Sequence, residues 1–339
     1  MDKDLKTILI ESLTKNLSVR KSELLFNKIM NGAFSNIQLS AILASLSSRG
    51  ETIEEIIGAT KAMRKHSIKI KGGEDVIDIV GTGGDGKGTL NISTASAIVV
   101  AGAGIKVAKH GNKNISSQSG AANILESLGV NVMMEPQIAQ RCLDEIGLCF
   151  MMAPVFHPAM KYVMPVRNEL GIRTVFNILG PMTNPANVKK QLTGTFSKEL
   201  LKPMAQTLLS LGTQTAWLVH GKDGTDEISI SDLTHVVEIK DGSLNEFVLN
   251  PTDYGFKLCA FDALVGGSPN YNASQLELLL KGRTGSYRDS VLLNSAAAIY
   301  ISGLVKNLND GISLASKAID EGKALDKLKR LKQLSSEGI

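Results

Sequence analysis

Residues 76 to 94 run from the apolar pattern Val76-Ile77-Asp78-Ile79-Val80 through Gly81-Thr82-Gly83-Gly84-Asp85-Gly86-Lys87-Gly88-Thr89 to a helix start at Asn91-Ile92-Ser93-Thr94. A buried strand that enters five glycines in eight positions and leaves as a helix restricts the fold to α/β architectures with bare backbone at a strand's carboxyl end. Glycine adopts positive φ at no steric cost, so the loop can aim unpaired N–H groups at an anion, and the dipole of the following helix adds attraction. The segment reads as a phosphate cradle. A turn kept for packing explains any single glycine but explains poorly five of them with Asp85 in their midst.

Two familiar phosphate loops come close and fail. Gly81-x-Gly83-x-x-Gly86 has the dinucleotide spacing, which calls for an acidic ribose ligand about 20 residues on. The next strand pattern, Ile105-Lys106-Val107-Ala108, delivers Lys109 and His110 instead, and a cation there suits further phosphate. Gly81-x-x-x-x-Gly86-Lys87 imitates a nucleotide triphosphate loop, but Gly88 follows the lysine and the hydroxyl arrives late, as Thr89.

At 339 residues the chain has room for about two domains. Hydrophobic residues make up 43% and charged residues 21%, ordinary proportions for a globular protein, and a net charge of +4 with both signs interspersed does not call for nucleic acid. Cys142, Cys149 and Cys259 lack metal-ligand spacing and suit a reducing compartment. The opening Met1-Asp2-Lys3-Asp4-Leu5 is not an apolar signal, and apolar runs break well before the roughly 18 residues a membrane span needs. A cytoplasmic protein without membrane or nucleic-acid partners is expected.

The texture changes near residue 72. Before it, apolar residues recur at helical spacing, with capping-box signatures Ser35-x-x-Gln38 and Thr52-x-x-Glu55. Such short helices enclose little core alone, so part of their apolar face is expected to cover the rest of the chain or a second copy. After Gly72-Gly73 strand patterns at 76–80, 105–108, 130–134, 148–152, 191–196 and 215–219 alternate with helices at 93–103, 118–128, 136–146 and 198–211. The expected fold is α/β: a small N-terminal helical domain, 1–71 joined by part of 165–190, and a large α/β domain, 72–339, with a mainly parallel sheet flanked by helices.

Three further clusters follow strands and should share the rim of the glycine loop. Lys109-His110-Gly111-Asn112-Lys113-Asn114-Ile115-Ser116-Ser117 has the chemistry of a second anion cradle. Asp226-Glu227, on a glycine turn, suits Mg²⁺ held jointly by carboxylates and substrate phosphates. Arg167 and His157 are candidates to face a small acidic acceptor, because a guanidinium matches a carboxylate in bidentate geometry.

These residues carry a resemblance to the anthranilate phosphoribosyltransferase family over nearly the whole length. It rests on Asp78-Ile79-Val80-Gly81-Thr82-Gly83-Gly84-Asp85, on Lys109-His110-Gly111-Asn112 with Ser116-Ser117, on Arg167 with the run from Gly171 to Pro181, and on Asp226-Glu227. Fainter echoes are Gly50-Glu51-Thr52, Ala62-Met63-Arg64 and Asn294. The resemblance implies transfer of a ribose 5-phosphate unit from phosphoribosyl pyrophosphate to the amine of anthranilate, by a homodimer joined through the helical domain. It implies a donor site of Gly81, Gly84, Asp85, Thr89, Asn91, Ile92, Ser93 and Thr94 with Lys109 through Ser117 and Ala121. Anthranilate would meet Gly81, His110, Asn112 and Arg167, and Ser93, Asp226 and Glu227 would hold two Mg²⁺ ions. Lys109 would stabilise charge on the leaving group, with no nucleophilic side chain or strong base required. Lys113 replaces a usual arginine, Ala121 a frequent serine and Asn123 a common aspartate. The alternatives are a pyrimidine nucleoside phosphorylase-like enzyme, whose glycine loop differs, and a non-catalytic relative that binds nucleic acid.

Overall fold

In the computed structural model, which describes residues 3–113 and 119–337, the chain opens with helices α1 (Lys3–Thr14), α2 (Val19–Met30), α3 (Asn36–Arg49) and α4 (Ile53–His66). Both capping boxes form: Ser35 with Gln38 at the start of α3, and Thr52 with Glu55 at the start of α4. Glu55 does more than cap. Its buried carboxylate accepts the Leu17 N–H at 2.9 Å and pairs with Arg49, whose Nη1 lies 2.9 Å from Oε2. Burial alone would push this carboxyl up, but the Arg49 bond and the N–H groups of Thr52 and Leu17 prevail and hold it below its ordinary value. One side chain thereby joins the α1–α2 connection, the end of α3 and the start of α4. Helices α2 and α4 approach closely at Gly58, where a Cβ would stand 2.6 Å from the Val19 carbonyl oxygen.

Seven strands among the described residues form one sheet: β1 (Val76–Gly81), β2 (Lys106–Gly111), β3 (Leu148–Met152), β4 (Lys190–Gly194), β5 (Thr215–Gly221), β6 (Thr234–Lys240) and β7 (Ser243–Leu249), in the order β3-β2-β1-β4-β5-β6-β7. The five strands from β3 to β5 are parallel, whereas β6 and β7 are antiparallel additions. Because the chain winds outward from β1 to β3 and then returns to place β4 on the other side of β1, the sheet has its switch point between β1 and β4. Ligand crevices open at the carboxyl ends of strands at such a point.

Two cores hold the molecule. The larger gathers α5 (Ile92–Gly102) and the helices Pro136–Ile146, Ser286–Ser302, Leu308–Asp320 and Lys323–Ser335 around Ile77, Ile79, Val107 and Trp217. The second joins Leu25, Phe26 and Ile29 of α2 and Ile56 and Ala59 of α4 to Val163, Val166 and Phe176, and continues through helix Leu201–Ser210 to Leu218 and Val237 of the sheet. The helical part is thus seated against the α/β part partly through a segment that returns at 163–182. Arg64 of α4 reinforces that seat by donating to the Met182 carbonyl at 2.8 Å.

Two sequence expectations are corrected. The run 130–134 has the strand period, with Val130, Val132 and Met134 buried, yet forms no strand. Asn131 explains why: its N–H and side-chain amide donate to Ser335 Oγ and carbonyl, and its Oδ1 accepts the Met133 N–H, so the backbone is satisfied without a ladder. The β6–β7 hairpin was not anticipated, although its turn, Asp241-Gly242 with φ of 50° and 74°, has the positive-φ pair such hairpins prefer. The helix expected from 198 starts as a 3₁₀ turn, Lys198–Leu200, and that expected from 118 is described from Ala121 to Ser127. No helix among the described residues is long and apolar enough to cross a membrane.

Removing Glu55 leaves the half-buried Arg49 without its counter-charge and α4 without half of its cap. Glu55→Ala is expected to destabilise the protein by about 3 kcal/mol. Urea unfolding followed by circular dichroism measures this, and a midpoint equal to the parent's would refute the role given to the carboxylate.

Candidate active site

The glycine loop owes its shape to a carboxylate. Gly81 and Gly194 are register partners at the tips of β1 and β4, and Asp226 lies over both. A Cβ on Gly81 would stand 2.4 Å from Asp226 Oδ2, and one on Gly194 would stand 1.5 Å from the Asp226 carbonyl oxygen. These two glycines are needed for close approach. Freedom at positive φ is used further along, at Gly83, Gly84, Gly86 and Gly88. Asp226 Oδ2 accepts the Gly83 N–H at 2.8 Å and Glu227 Oε1 accepts the Ser93 N–H at 3.1 Å, so the pair ties both ends of the loop. Asn294 in turn fixes the pair, its amide exchanging bonds of 3.0 and 2.8 Å with the Ile228 N–H and carbonyl. The N–H groups of Gly84, Asp85 and Gly86 have no partner among the described residues.

The electrostatics at this end are unbalanced. Burial and the neighbouring Asp85 push Asp226 up to about 7, and burial with Asp226 pushes Glu227 well above its ordinary value. Lys109 is buried beside them, donating to the Ile79 carbonyl at 2.5 Å and to Ser93 Oγ at 3.3 Å; burial lowers its pKa against the pull of Asp78 and Glu227. Asp78 is also buried and is pushed by burial to about 6, although Lys109, the Asn184 amide and the His110 N–H oppose the rise. Three clustered acids facing one lysine lack positive charge, a deficit that a divalent cation would relieve.

The opposite wall is apolar and neutral. His110 and His157 lie with ring centroids 5.0 Å apart. His110 Nδ1 pairs with the Gly180 carbonyl at 3.1 Å, and neither Nε2 has a partner among the described residues. Burial lowers His110 to about 3, with His157 adding to the effect, and lowers His157 to about 4, so both rings are uncharged at neutral pH. Met63, Met160, Met164 and Phe176 complete that wall. Arg167 points to the same space with its guanidinium 5.8 Å from the Phe176 ring centroid. Burial lowers its pKa, and no carboxylate pairs with it among the described residues.

A cleft of about 600 Å³ connects the two ends. It brings together Gly81, Gly84, Asp85, Thr89, Asn91, Ser93, Lys109, His110, Gly111, Asn112, Lys113, Ala121, Arg167, Asp226 and Glu227. Ile92 and Thr94 lie off its lining: Ile92 is buried in the larger core with its N–H on the Leu90 carbonyl, and Thr94 is buried. The expected donor contacts Asn114, Ile115, Ser116 and Ser117 fall outside the described residues. Asn91 lines the cleft, but its amide is committed inward, donating to the Ser119 carbonyl and accepting from Asn272 at 2.9 Å. Lys113 is turned to Glu126, 2.8 Å away, and Asn123 Oδ1 accepts the Gly120 N–H. Asn184, Asn272 and Arg173 support the site without having been singled out from the sequence. A lone polar residue on a helix or loop gives no signal of the neighbour that distant chain will bring.

The chain matches the glycosyl transferase family models for the helical bundle domain over residues 5–67 and for the a/b domain over residues 73–325. It is 48% identical to an anthranilate phosphoribosyltransferase of Methanobrevibacter smithii, covering 93% of this chain and 94% of the relative. Among solved structures it is similar to anthranilate phosphoribosyltransferase from Thermus thermophilus, with 38% identity and a TM-score of 0.92 over 98% of this chain and 99% of the other. It is also similar to the Saccharomyces cerevisiae enzyme in complex with PRPP and Mg, with 29% identity and a TM-score of 0.88 over 99% of each chain.

The neutral imidazoles make a pH prediction. A buried His157 with a folded pKa of about 4 against an ordinary 6.5 binds fewer protons folded than unfolded, so its contribution to stability is complete above 6.5 and is lost as pH falls towards 4. His157→Asn removes that loss. The stability difference between variant and parent should shift in the variant's favour by about 3 kcal/mol between pH 7 and pH 4. Urea titrations at both pH values test this, and a pH-independent difference would exclude a neutral buried His157.

Proposed function

The chain belongs to the anthranilate phosphoribosyltransferase family, and from that premise we propose how its cleft divides the work of moving the 5-phosphoribosyl group of phosphoribosyl pyrophosphate onto the amine of anthranilate in tryptophan biosynthesis. The carrying observation is the convergence, at one end of the cleft, of the unpartnered N–H groups of Gly84, Asp85 and Gly86, the buried Lys109 and the acid pair. We assign the donor to this end. The free N–H groups meet phosphate oxygens, and the Lys109 ammonium adds a buried positive charge beside the departing pyrophosphate. Asp226 and Glu227, with Ser93 Oγ, would hold Mg²⁺, whose charge neutralises the pyrophosphate oxygens during departure. Donor phosphate oxygens would supply the remaining ligands beside Asp226, Glu227 and Ser93 Oγ, and two ions are the number we propose.

Anthranilate is assigned to the other end. A flat aromatic acid suits the walls of Met63, Met160 and Phe176, and Arg167 offers a guanidinium to its carboxylate. Neutral His110 and His157 leave the amine unprotonated and border it without added charge. An aromatic amine is already nucleophilic at neutral pH, so orientation towards the anomeric carbon is the protein's main contribution on this side. The helical domain is proposed as 1–71 joined by part of 165–190, with the α/β domain as 72–339. Exposed Ile10, Leu24 and Ile37, the last 84% exposed, support a homodimer through the helical domain. The three free cysteines suit a cytoplasmic setting.

The reading is tested by mixing protein, phosphoribosyl pyrophosphate, anthranilate and Mg²⁺ and following loss of anthranilate fluorescence with each component omitted in turn. Arg167→Ala is expected to raise the KM for anthranilate by about 10- to 100-fold with little change for the donor, the loss of one charged hydrogen-bonded contact. Equal acceptor saturation curves for variant and parent would remove Arg167 from the acceptor site. Asp226→Asn with Glu227→Gln should shift the Mg²⁺ dependence of the rate to at least about tenfold higher concentration, and a titration that superimposes on the parent's would rule out the metal assignment.

A further inference from the structure

We propose that Arg173 is a positioning residue that fastens the glycine loop to the helical part of the molecule and so sets donor affinity, an inference that rests on assigning the donor to that loop. Arg173 lies between helix Met164–Leu170, which carries Arg167, and the short helix Phe176–Leu179. Its guanidinium sits 3.9 Å from the Phe196 ring centroid and donates from Nη2 to the Gly84 carbonyl. Its own carbonyl accepts from Ser47 Oγ of α3 at 2.8 Å.

The contacts close a bracket. Phe196 follows β4 and donates its N–H to Thr82 Oγ1 at 2.9 Å, while the Thr82 N–H donates to the Gly194 carbonyl at 2.9 Å. From Thr82 to Gly84 the loop is therefore held from below by β4 and Phe196 and from above by Arg173, with Ser47 linking that clamp to the bundle. Four loop glycines at positive φ have large conformational freedom to lose, so a loop without this clamp presents its free N–H groups in many arrangements. Arginine suits the position because one planar group stacks on a ring face and donates at its edge; lysine keeps the charge and loses the plane. Neither Gly84 nor Phe196 belongs to the acceptor wall, so the effect of losing the clamp should fall on the donor.

The test uses full-length Arg173→Ala, Arg173→Lys, Phe196→Leu and the Arg173→Ala/Phe196→Leu double variant, with two readouts: amide hydrogen exchange of peptides covering residues 82–88 in the free enzyme, and KM for each substrate. The expected result is faster loop exchange and a KM for phosphoribosyl pyrophosphate raised about tenfold in the alanine variant, with anthranilate KM and kcat within about twofold. Arg173→Lys should stay within about threefold of Arg173→Ala, and the double variant should be little worse than either single one, because the two side chains act as a unit. Loop exchange equal to the parent's overturns the clamp whatever the rates do, and so does an anthranilate KM that rises as much as the donor's. A parent enzyme that fails to saturate with phosphoribosyl pyrophosphate overturns the donor assignment instead, while the exchange result still judges the clamp.

Discussion

Asp226 lying over the paired glycines Gly81 and Gly194 is the constraint on which the site depends. A carboxylate can occupy the sheet's switch point only if both strand tips lack side chains, and once there it dictates where the glycine loop turns by accepting the Gly83 N–H. Glu227 extends the same control to the start of α5 through Ser93, and Asn294 secures both acids from a helix more than 60 residues away in sequence. Loop, acid pair and sheet topology are one arrangement. Displacing the acid pair would move the phosphate cradle with it.

The two ends of the cleft are electrostatic opposites, and burial causes both. At the glycine-loop end, excluded water raises Asp226 and Glu227 and lowers Lys109, so charges there are held at a cost that a cation beside the acids would relieve. At the other end the same exclusion keeps His110 and His157 neutral, and Arg167 has no carboxylate partner among the described residues.

The glycine loop, the Lys109 strand end and the acid pair were legible in the sequence because each follows an apolar run of strand length, and the chain's alternation puts such ends on one rim. The capping boxes were legible because their partners are three residues apart. What escaped reading depends on partners far along the chain. Asn131 looks like part of a strand until Ser335 satisfies its backbone, and nothing near Gly81 in sequence announces that Asp226 will pack against its Cα. The Asn91 amide, on the cleft lining, is also bonded to the Ser119 carbonyl and the Asn272 amide, partners 28 and 181 residues away that its own segment does not announce. The Asp241-Gly242 hairpin has a local signal, but the strand–helix alternation before it favours parallel crossovers over a reversal.

The returning segment explains why two structural parts are needed. If both substrates were held by the sheet's rim, one rigid face would have to suit a pyrophosphate and an aromatic ring that must meet at a single carbon. On the proposed assignment the donor's cradle belongs to the sheet, whereas Arg167, Phe176 and Asn177 belong to a segment whose core neighbours are the helices α2 and α4. The angle between attacking amine and anomeric carbon is then set by how the bundle seats on the sheet, through Arg64 on the Met182 carbonyl and the Asp78–Asn184 bond of 2.7 Å. Small changes in that seat translate directly into the geometry of attack, where an error of about 1 Å costs about a hundredfold in rate. The polar groups buried between the two parts thus bear on the reaction as much as the side chains that line the cleft.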